Sequence, residues 1–440
     1  MLDIKLLRET PEVVKADLRK RGRDEAVVDE LLAHDAAWRA AQQEQNDLRA
    51  ERNQAAKAIA AAKKAGEDAQ PAIAAMGKVG AAIKAAEQKV TDAAAARDAL
   101  LRSLPNIMHE SVPVGDDDTQ NVLLRDWGGQ PTHDFNAVSH VDLLDSLDVA
   151  DLERAARAAG SRFAYLKGDL VLLARGLEFL ALSHLAERGY TPVEPPYMLR
   201  REAVEGAVDL SDFEDVIYKV EAGGGADAEK GDAPELFLIA TSEHPLAALH
   251  MGEILEDPQL PLKYAGVSPC FRKEAGAHGK DSKGIFRVHQ FSKVEQFVYA
   301  TAEQSWDLHE ELLANAEALY QALGIPYRVV TICTGDLGTV AAKKYDIEAW
   351  MPVQGAYREV VSCSNCTDYQ ARRYNTRHRK APGEPTAFVH TLNSTAIAVQ
   401  RTLVAILENF QNENGSVTIP EVLRPYVGGR ERIEPSAPAT

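Results

Sequence analysis

Two alanine-rich stretches, residues 27–64 and 71–104, repeat apolar or small residues at heptad spacing on either side of a short break. The outgoing stretch sets Leu31, Trp38, Gln45, Arg52 and Ile59 at one position of the repeat, and His34, Ala41, Leu48, Ala55 and Ala62 at the other. The returning stretch reads Ile73, Met76, Gly80, Ile83, Glu87, Val90, Ala94, Arg97, Leu101 and Leu104. Between them stands Gly66-Glu67-Asp68-Ala69-Gln70-Pro71, and Gly and Pro both interrupt helices. Equal arms about a breaker predict an antiparallel helical hairpin that projects from the body, each arm about 50 Å long from the helical rise per residue.

The hairpin unit spans 1–110, and Leu104-Pro105-Asn106 ends its second arm. The polar stretch that follows, with Gly115, Asp116 to Asp118 and Gly128-Gly129, reads as a linker over 111–135. Beyond it, short β-rich runs such as LFLIA (236–240), RVVTI (328–332) and AFVHT (387–391) are interspersed with helical patterns. These predict an α+β domain over 136–428 with a mainly antiparallel sheet core flanked by helices. The Gly- and Ala-rich segment 221–234 is expected to be a surface loop and 429–440 a disordered tail.

The formal net charge of -17 excludes a protein that coats nucleic acid indiscriminately, because phosphate binding needs clustered Lys and Arg. Residues 1–110 nevertheless balance 18 Lys and Arg against 18 Asp and Glu. Near the turn Arg49, Arg52, Lys57, Lys63, Lys64, Lys78 and Lys84 outnumber Glu51, Glu67 and Asp68. Such charges either solvate a helical surface or form a local RNA site. No run approaches the roughly 18 apolar residues of a membrane span, and the N-terminus lacks a signal-peptide pattern, so a cytoplasmic location without membrane contact is expected. Cys270, Cys333, Cys363 and Cys366 are too few in so long a chain for a disulfide framework.

The richest chemistry lies in SPCFRKEAGAHGKDSKGIFRVHQFSKVEQFV, residues 268–298, which reads as strand, Gly-rich loop, strand. Alternation puts Arg272 and Glu274 on one face of the first strand, and Arg287, His289, Phe291, Lys293 and Glu295 on one face of the second. In ATSEHPL (240–246), Thr241 and Glu243 fall on the same side and Pro245 can start a helix; an ordinary helix cap by Thr241 or Ser242 is the plain alternative. EVVSCSNCTDYQARR (359–373) offers Glu359 and Ser362, which strict alternation would set on opposite faces, so the strand must end or bulge there. The Cys363-x-x-Cys366 pair in it lacks a second pair or nearby histidines at zinc-ligand spacing. HTLNSTAIAVQRTLVAILENFQ (390–411) reads as a strand running into a helix, with Arg401 early on that helix.

These segments resemble the seryl-tRNA synthetases, class II aminoacyl-tRNA synthetases of the common bacterial and archaeal type. The match FRxEAGxxGxD followed by RxHQFxKVE is that family's second signature motif, and residues 390–411 resemble its third. FLALSHLAERGYTPVEPPYML (179–199), with Pro195 and Pro196, fits the first, which in the family lies at a homodimer interface. The resemblance covers about 1–428, hairpin included, and implies ATP-dependent activation of L-serine to seryl-adenylate and transfer to the 3' end of serine tRNA. Selenocysteine tRNA is a further candidate acceptor. In the family the hairpin reaches the long variable arm of the tRNA, which turns the basic tip into an RNA site.

The resemblance also implies residue roles. Arg272 and Arg401 would serve catalysis; Thr241, Glu243, Arg272, Glu295, Asn393 and Thr395 would bind serine. Arg272, Glu274, Arg287, Val288, Phe291, Glu359, Ser362 and Arg401 would bind ATP, with Glu359 and Ser362 also holding Mg²⁺. No structural zinc is expected, since the common form of the family carries such cysteines without a metal. Two departures are visible: Ser394-Thr395 replaces the Gly-Ser pair of many bacterial members while keeping a hydroxyl, and EGAVDLSDFEDVIYKV (205–220) replaces GTGQLPKF. An amino acid:carrier-protein ligase would share the adenylate chemistry but lack the long hairpin, and an idle RNA-binding paralogue would not need this set of site residues.

Overall fold

The computed structural model describes residues 1–208, 215–221, 235–274, 281 and 283–435. The loop expected over 221–234 therefore lies almost wholly outside the described residues, as do the middle of the 205–220 segment and most of the Gly-rich turn after Glu274. The chain forms two compact units that divide between Ile107 and Met108.

In the first unit, helices α1 (Ala26–Ala65) and α2 (Gln70–Ser103) form the hairpin. Gly66 ends α1 in the left-handed conformation (φ 76°), its N–H returning to the carbonyls of Ala62 and Lys63, a backbone state that Gly adopts without strain. Cross-arm ion pairs step in antiparallel order, Arg49 with Glu87 and Glu44 with Lys89, both at 3.1 Å. The seam departs from the simple heptad at four positions. Gly80 and Glu87 are exposed, and Val79 and Ala86 turn inward instead, because Glu87 is drawn out to its arginine. Arg52 and Ile73, also expected inside, are exposed. Asp35 is fully buried in the seam, where Arg8 (2.6 and 2.8 Å) and Arg39 (3.1 Å) neutralise it. The seven basic residues near the turn are all exposed.

The second unit is α+β. Its strands are β1 (Val122–Trp127), β2 (Thr191–Val193), β3 (Leu262–Phe271), β4 (Gln290–Ala300), β5 (Tyr327–Thr331), β6 (Lys343–Met351), β7 (Ala356–Asn365) and β8 (His390–Ala398). They form one sheet in the order β1-β5-β6-β7-β8-β4-β3-β2, antiparallel throughout except for the β2–β3 pair. Helices α3 (Gly168–Ala186), α5 (Ser305–Leu323) and α6 (Val399–Asn409) cover one face, while α4 (Glu243–Ala248) packs on β3. Leu173 and Leu177 of α3, Leu312 and Leu319 of α5, and Leu403 and Ile406 of α6 share a core with Val294, Val298, Ile347 and Ile397 of the sheet. Along β4, even-numbered residues turn to the helices, with Gln296 Nε2 donating to Leu312 O of α5 at 3.0 Å. The odd-numbered ones, Phe291, Lys293 and Glu295, are left for the opposite face.

Two segments depart from what the sequence leads one to expect. The linker over 111–135 contains β1, the edge of the large sheet, paired with β5 and bulged between Leu123 and Arg125. The Gly- and Asp-rich flanks hide the short strand VLLRDW, whose side chains are all exposed and which carries no buried stripe. The tail expected to be disordered from 429 instead forms a strand at Arg432–Ile433 on Val417–Thr418, anchored by Ile433 at 2% exposure; 436–440 lie outside the described residues. No helix among the described residues is long and apolar enough to cross a membrane.

Candidate active site

A cavity of about 390 Å³ opens on the sheet face away from α5, and all thirteen predicted site residues line it. They are Thr241, Glu243, Arg272, Glu274, Arg287, Val288, Phe291, Glu295, Glu359, Ser362, Asn393, Thr395 and Arg401. Local backbone irregularities bring several of them there. On β7 the register passes from Val361 opposite Ile347 to Glu359 opposite Glu348, so Val360 is the extra residue of a bulge. That bulge, one of the two outcomes the spacing of Glu359 and Ser362 allowed, sets both on the cavity wall. A matching irregularity on β8 at Ala396 leaves Thr395 opposite Glu295, with the Thr395 hydroxyl donating to Glu295 at 3.3 Å.

The 268–298 hairpin differs from the alternation expected of it. β3 stops at Phe271 and β4 starts at Gln290, so Arg272, Glu274 and Arg287 stand beyond the strand ends. Arg272 is still tied to the hairpin, its N–H donating to His289 O at 2.9 Å, but Glu274 takes φ 50° and turns its carboxylate to Arg287 at 2.9 Å. Gly284, at φ 85°, closes the returning side; a Cβ there would lie 2.1 Å from His140 Nε2. Thr241 and Glu243 are held by close packing on β3, where a Cβ on Gly266 would sit 2.7 Å from Leu246 Cδ1 and 2.8 Å from Ser242 Cβ. Ser242 caps the helix by position, its hydroxyl bonding Gly266 O and Ser268 Oγ on β3 rather than the helix end, while Thr241 Oγ1 accepts from the Glu243 N–H at 3.2 Å.

Two chemically distinct groups of side chains share the cavity. In one, Glu295 pairs with buried Lys293 at 2.5 Å, and Glu243 accepts from Gln370 Nε2 at 2.8 Å. Burial, reinforced by the charge of Glu295, pushes the Glu243 carboxyl up to about 7 against the pull of Lys293 and Arg272. Burial also raises Glu295, with Lys293, Thr395 and Arg272 opposing. Burial holds neighbouring His244 down at about 3, so it is neutral. Two carboxylates on one cavity wall, Glu295 buried and Glu243 half-buried, attract a cation that would complete their pairing.

In the other group Arg401 donates to Glu359 O at 2.8 Å and pairs with its carboxylate at 3.3 Å. Desolvation within the cavity works to raise Glu359, whose side chain is still 49% exposed, but Arg401, Lys344 and Arg272 outweigh it and keep the carboxyl below its usual range. Phe286, 5% exposed, lies between the guanidinium groups of Arg358 (4.2 Å) and Arg401 (5.0 Å). Arg272 stands over Phe291 at 5.2 Å and acts electrostatically on Glu243, Glu295 and Glu359, which puts its charge between the two groups.

Sequence reasoning missed Phe286, Lys344 and the segment Leu337–Ala341, all on the cavity wall. Phe286 was legible as an aromatic beside Arg287, whereas the 337–341 loop carries no charged or aromatic signal. The cysteine pair diverges. Cys363 Sγ donates to His309 O in the core at 3.7 Å, while Cys366 Sγ accepts from Asn393 Nδ2 at 3.6 Å on the cavity side. Burial holds both thiols protonated.

An antiparallel sheet of this topology, with arginines beyond the ends of its central hairpin and a strand running into an Arg-bearing helix, defines a class II aminoacyl-tRNA synthetase core. Comparisons narrow the class. Residues 218–410 match the tRNA synthetase class II core domain (G, H, P, S and T), and residues 1–108 match the seryl-tRNA synthetase N-terminal domain. The chain is 53% identical to the serine–tRNA ligase of Methanocella arvoryzae over 436 residues, 98% of this chain and 100% of that one. The crystal structure of seryl-tRNA synthetase from Pyrococcus horikoshii complexed with ATP superposes with a TM-score of 0.90 at 52% identity, covering 99% and 100% of the two chains. The cytoplasmic serine–tRNA ligase of Naegleria fowleri in complex with AMP gives 0.86 at 36% identity, covering 99% of each chain. The chain belongs to the seryl-tRNA synthetase family, and its activity is that of a serine–tRNA ligase.

Proposed function

We propose that the two groups of side chains divide the substrates, the carboxylate side taking serine and the arginine side taking ATP, with Arg272 at the junction. The observation that carries this reading is the single cavity wall on which Arg272, over the Phe291 ring, stands with Glu243 and Glu295 as well as with Glu359 and Arg401. Serine's ammonium meets Glu295 and Glu243, and its hydroxyl meets Thr395 and Asn393, while Thr241 shapes the pocket's edge. Arg272 holds the serine carboxylate against the α-phosphate and stabilises the charge that builds as the carboxylate attacks phosphorus and pyrophosphate leaves. Glu274 accepts from the adenine amino group, with Phe291 and Phe286 as ring surfaces and the Val288 backbone as a further contact. Arg287 and Arg401 hold the phosphates. No protein nucleophile is needed, because positioning and charge stabilisation carry the step. The seryl group then passes to the terminal ribose hydroxyl of the tRNA.

The oxygens of Glu359 and Ser362, brought to one wall by the bulge, fit the oxygen-rich, water-retaining coordination of Mg²⁺. Bound there, Mg²⁺ would neutralise phosphate charge. The differing surroundings of Cys363 and Cys366 support a reading without structural zinc. The exposed face of α3, with Phe179 at 62% and Leu172 at 39%, supports a homodimer through the motif 1 helix. The compartment in this reading is the cytoplasm.

Residues 1–110 serve as the tRNA arm, the exposed basic tip meeting phosphates of serine tRNA. The combined replacement of Lys57, Lys63, Lys64, Lys78 and Lys84 by Gln separates the two half-reactions. Serine-dependent pyrophosphate exchange should stay within twofold, while the KM for serine tRNA in charging rises on the order of tenfold or more. Charging as efficient as in the unsubstituted protein would refute the arm's role. The same charging assay with selenocysteine tRNA decides whether that acceptor is used.

A further inference from the structure

We propose that Cys366 is a positioning residue for substrate selection: its sulfur pins the amide nitrogen of Asn393, so that the amide turns only its oxygen to the serine pocket. This rests on the reading of Asn393 given above. Asn393 Nδ2 donates to Cys366 Sγ at 3.6 Å, and both residues line the cavity. Asn393 is 6% exposed, and this is the one hydrogen bond its side chain makes among the described residues, which leaves Oδ1 without a protein partner.

A buried cysteine most often fills space as a small apolar group. Cys366 is held in a way that fits a more exact task. β7 has ended at Asn365, yet the backbone beyond it stays tied to β8 through both polar groups of Thr391: the Cys366 N–H donates to Thr391 O and the Thr391 N–H to Thr367 O, each at 2.9 Å. Asn365 Oδ1 accepts from the Thr367 N–H at 2.9 Å and closes the turn. The sulfur is thereby fixed beside Asn393, two places along β8, with Cys366 itself 1% exposed. Cys363, which shares the C-x-x-C spacing, faces His309 in the core and takes no part.

An amide has a donor end and an acceptor end, exchanged by a half-turn about its last bond. Serine brings donors, on its ammonium and on its hydroxyl. The pocket answers with acceptors: Glu243, Glu295 and, because the Thr395 hydroxyl gives its proton to Glu295, the oxygen of Thr395. Were the amide free to turn, the carboxylates on the same wall would draw its nitrogen toward them and set a donor against the donors of the substrate. The Cys366 sulfur, a weak acceptor, satisfies the nitrogen and leaves the oxygen for the substrate hydroxyl.

The test is a double-mutant cycle read in serine-dependent pyrophosphate exchange. Cys366→Ala removes the acceptor and should raise the KM for serine about three- to tenfold, the range for one modest hydrogen bond, with the KM for ATP within about twofold. Cys366→Val, which also lacks an acceptor but fills the space, should do the same and is read alone if the Ala variant does not fold. Asn393→Ala should raise the KM for serine at least as far. In that background the loss of the sulfur should add less than about twofold, because no amide is left to orient.

A KM for serine within about twofold of the unsubstituted protein in either Cys366 variant overturns the proposal and leaves the serine pocket as read, provided that Asn393→Ala raises it. An equal rise on removing the sulfur with and without Asn393 overturns it as well, since that marks a cysteine that merely fills space. If Asn393→Ala itself leaves the KM unchanged, the placement of Asn393 falls and the pinning falls with it.

Discussion

Replacing Arg272 by Ala is expected to lower serine-dependent pyrophosphate exchange on the order of 10³-fold, with the protein still folded. Arg272 sits where charge develops, and its guanidinium is the group whose field reaches both substrate sides of the cavity. Its structural ties are slight: one 3.3 Å bond from Nε to Ala240 O and the face of Phe291. Loss of the side chain should therefore leave thermal unfolding nearly unchanged. Arg272→Lys should recover little, because an ammonium cannot span a carboxylate and a phosphate as the planar fork does. Exchange within tenfold of the parent in Arg272→Ala would remove Arg272 from the reaction.

Glu295→Gln should reduce kcat/KM for serine in the exchange reaction by roughly 10- to 100-fold, corresponding to about 1.5–3 kcal/mol for one charged hydrogen bond, with the KM for ATP unchanged. The change is isosteric, but it leaves the Lys293 ammonium, 6% exposed, without its 2.5 Å partner, so a lower melting temperature is expected as well. The same pocket predicts a pH dependence. Glu243 is held up at about 7, and serine's ammonium prefers it ionised, so the KM for serine should fall as pH rises through about 7. For the free protein the sign is opposite. A carboxyl raised from 4.5 to about 7 on folding contributes stability that is full below 4.5 and lost as pH rises through about 7. Glu243→Gln should flatten both dependences. A KM for serine in Glu295→Gln within twofold of the parent would contradict the placement of the ammonium.

Much of the site was legible because its side chains are carried by motifs with fixed spacing; once the resemblance put Glu359 and Ser362 on one side, alternation required the strand to end or bulge between them, and it bulges. What alternation could not give was the end of each strand: Arg272, Glu274 and Arg287 lie where the ladder has stopped, and Glu274 occupies a left-handed backbone state that period-two counting does not foresee. The hairpin was legible from its heptads and its Gly-Pro break, but local charge moved Val79 and Ala86 into the seam in place of Gly80 and Glu87. The edge strand Val122–Trp127 and the returning strand at Arg432–Ile433 escaped for a different reason. Both are short, and tertiary pairing rather than composition makes them strands. Lys344 reads as an ordinary charge on an alternating strand; only the register opposite Ser364, which also lines the cavity, gives it a place in the site.

The most direct measurement is exchange of labelled pyrophosphate into ATP by the unsubstituted protein with serine, threonine, alanine and cysteine in turn, followed by charging of total tRNA. The placement of the site residues predicts exchange dependent on serine, at most weak exchange with the other three, and charging confined to serine acceptors. Exchange supported equally by alanine, which lacks the hydroxyl that Asn393 and Thr395 are placed to read, would contradict it.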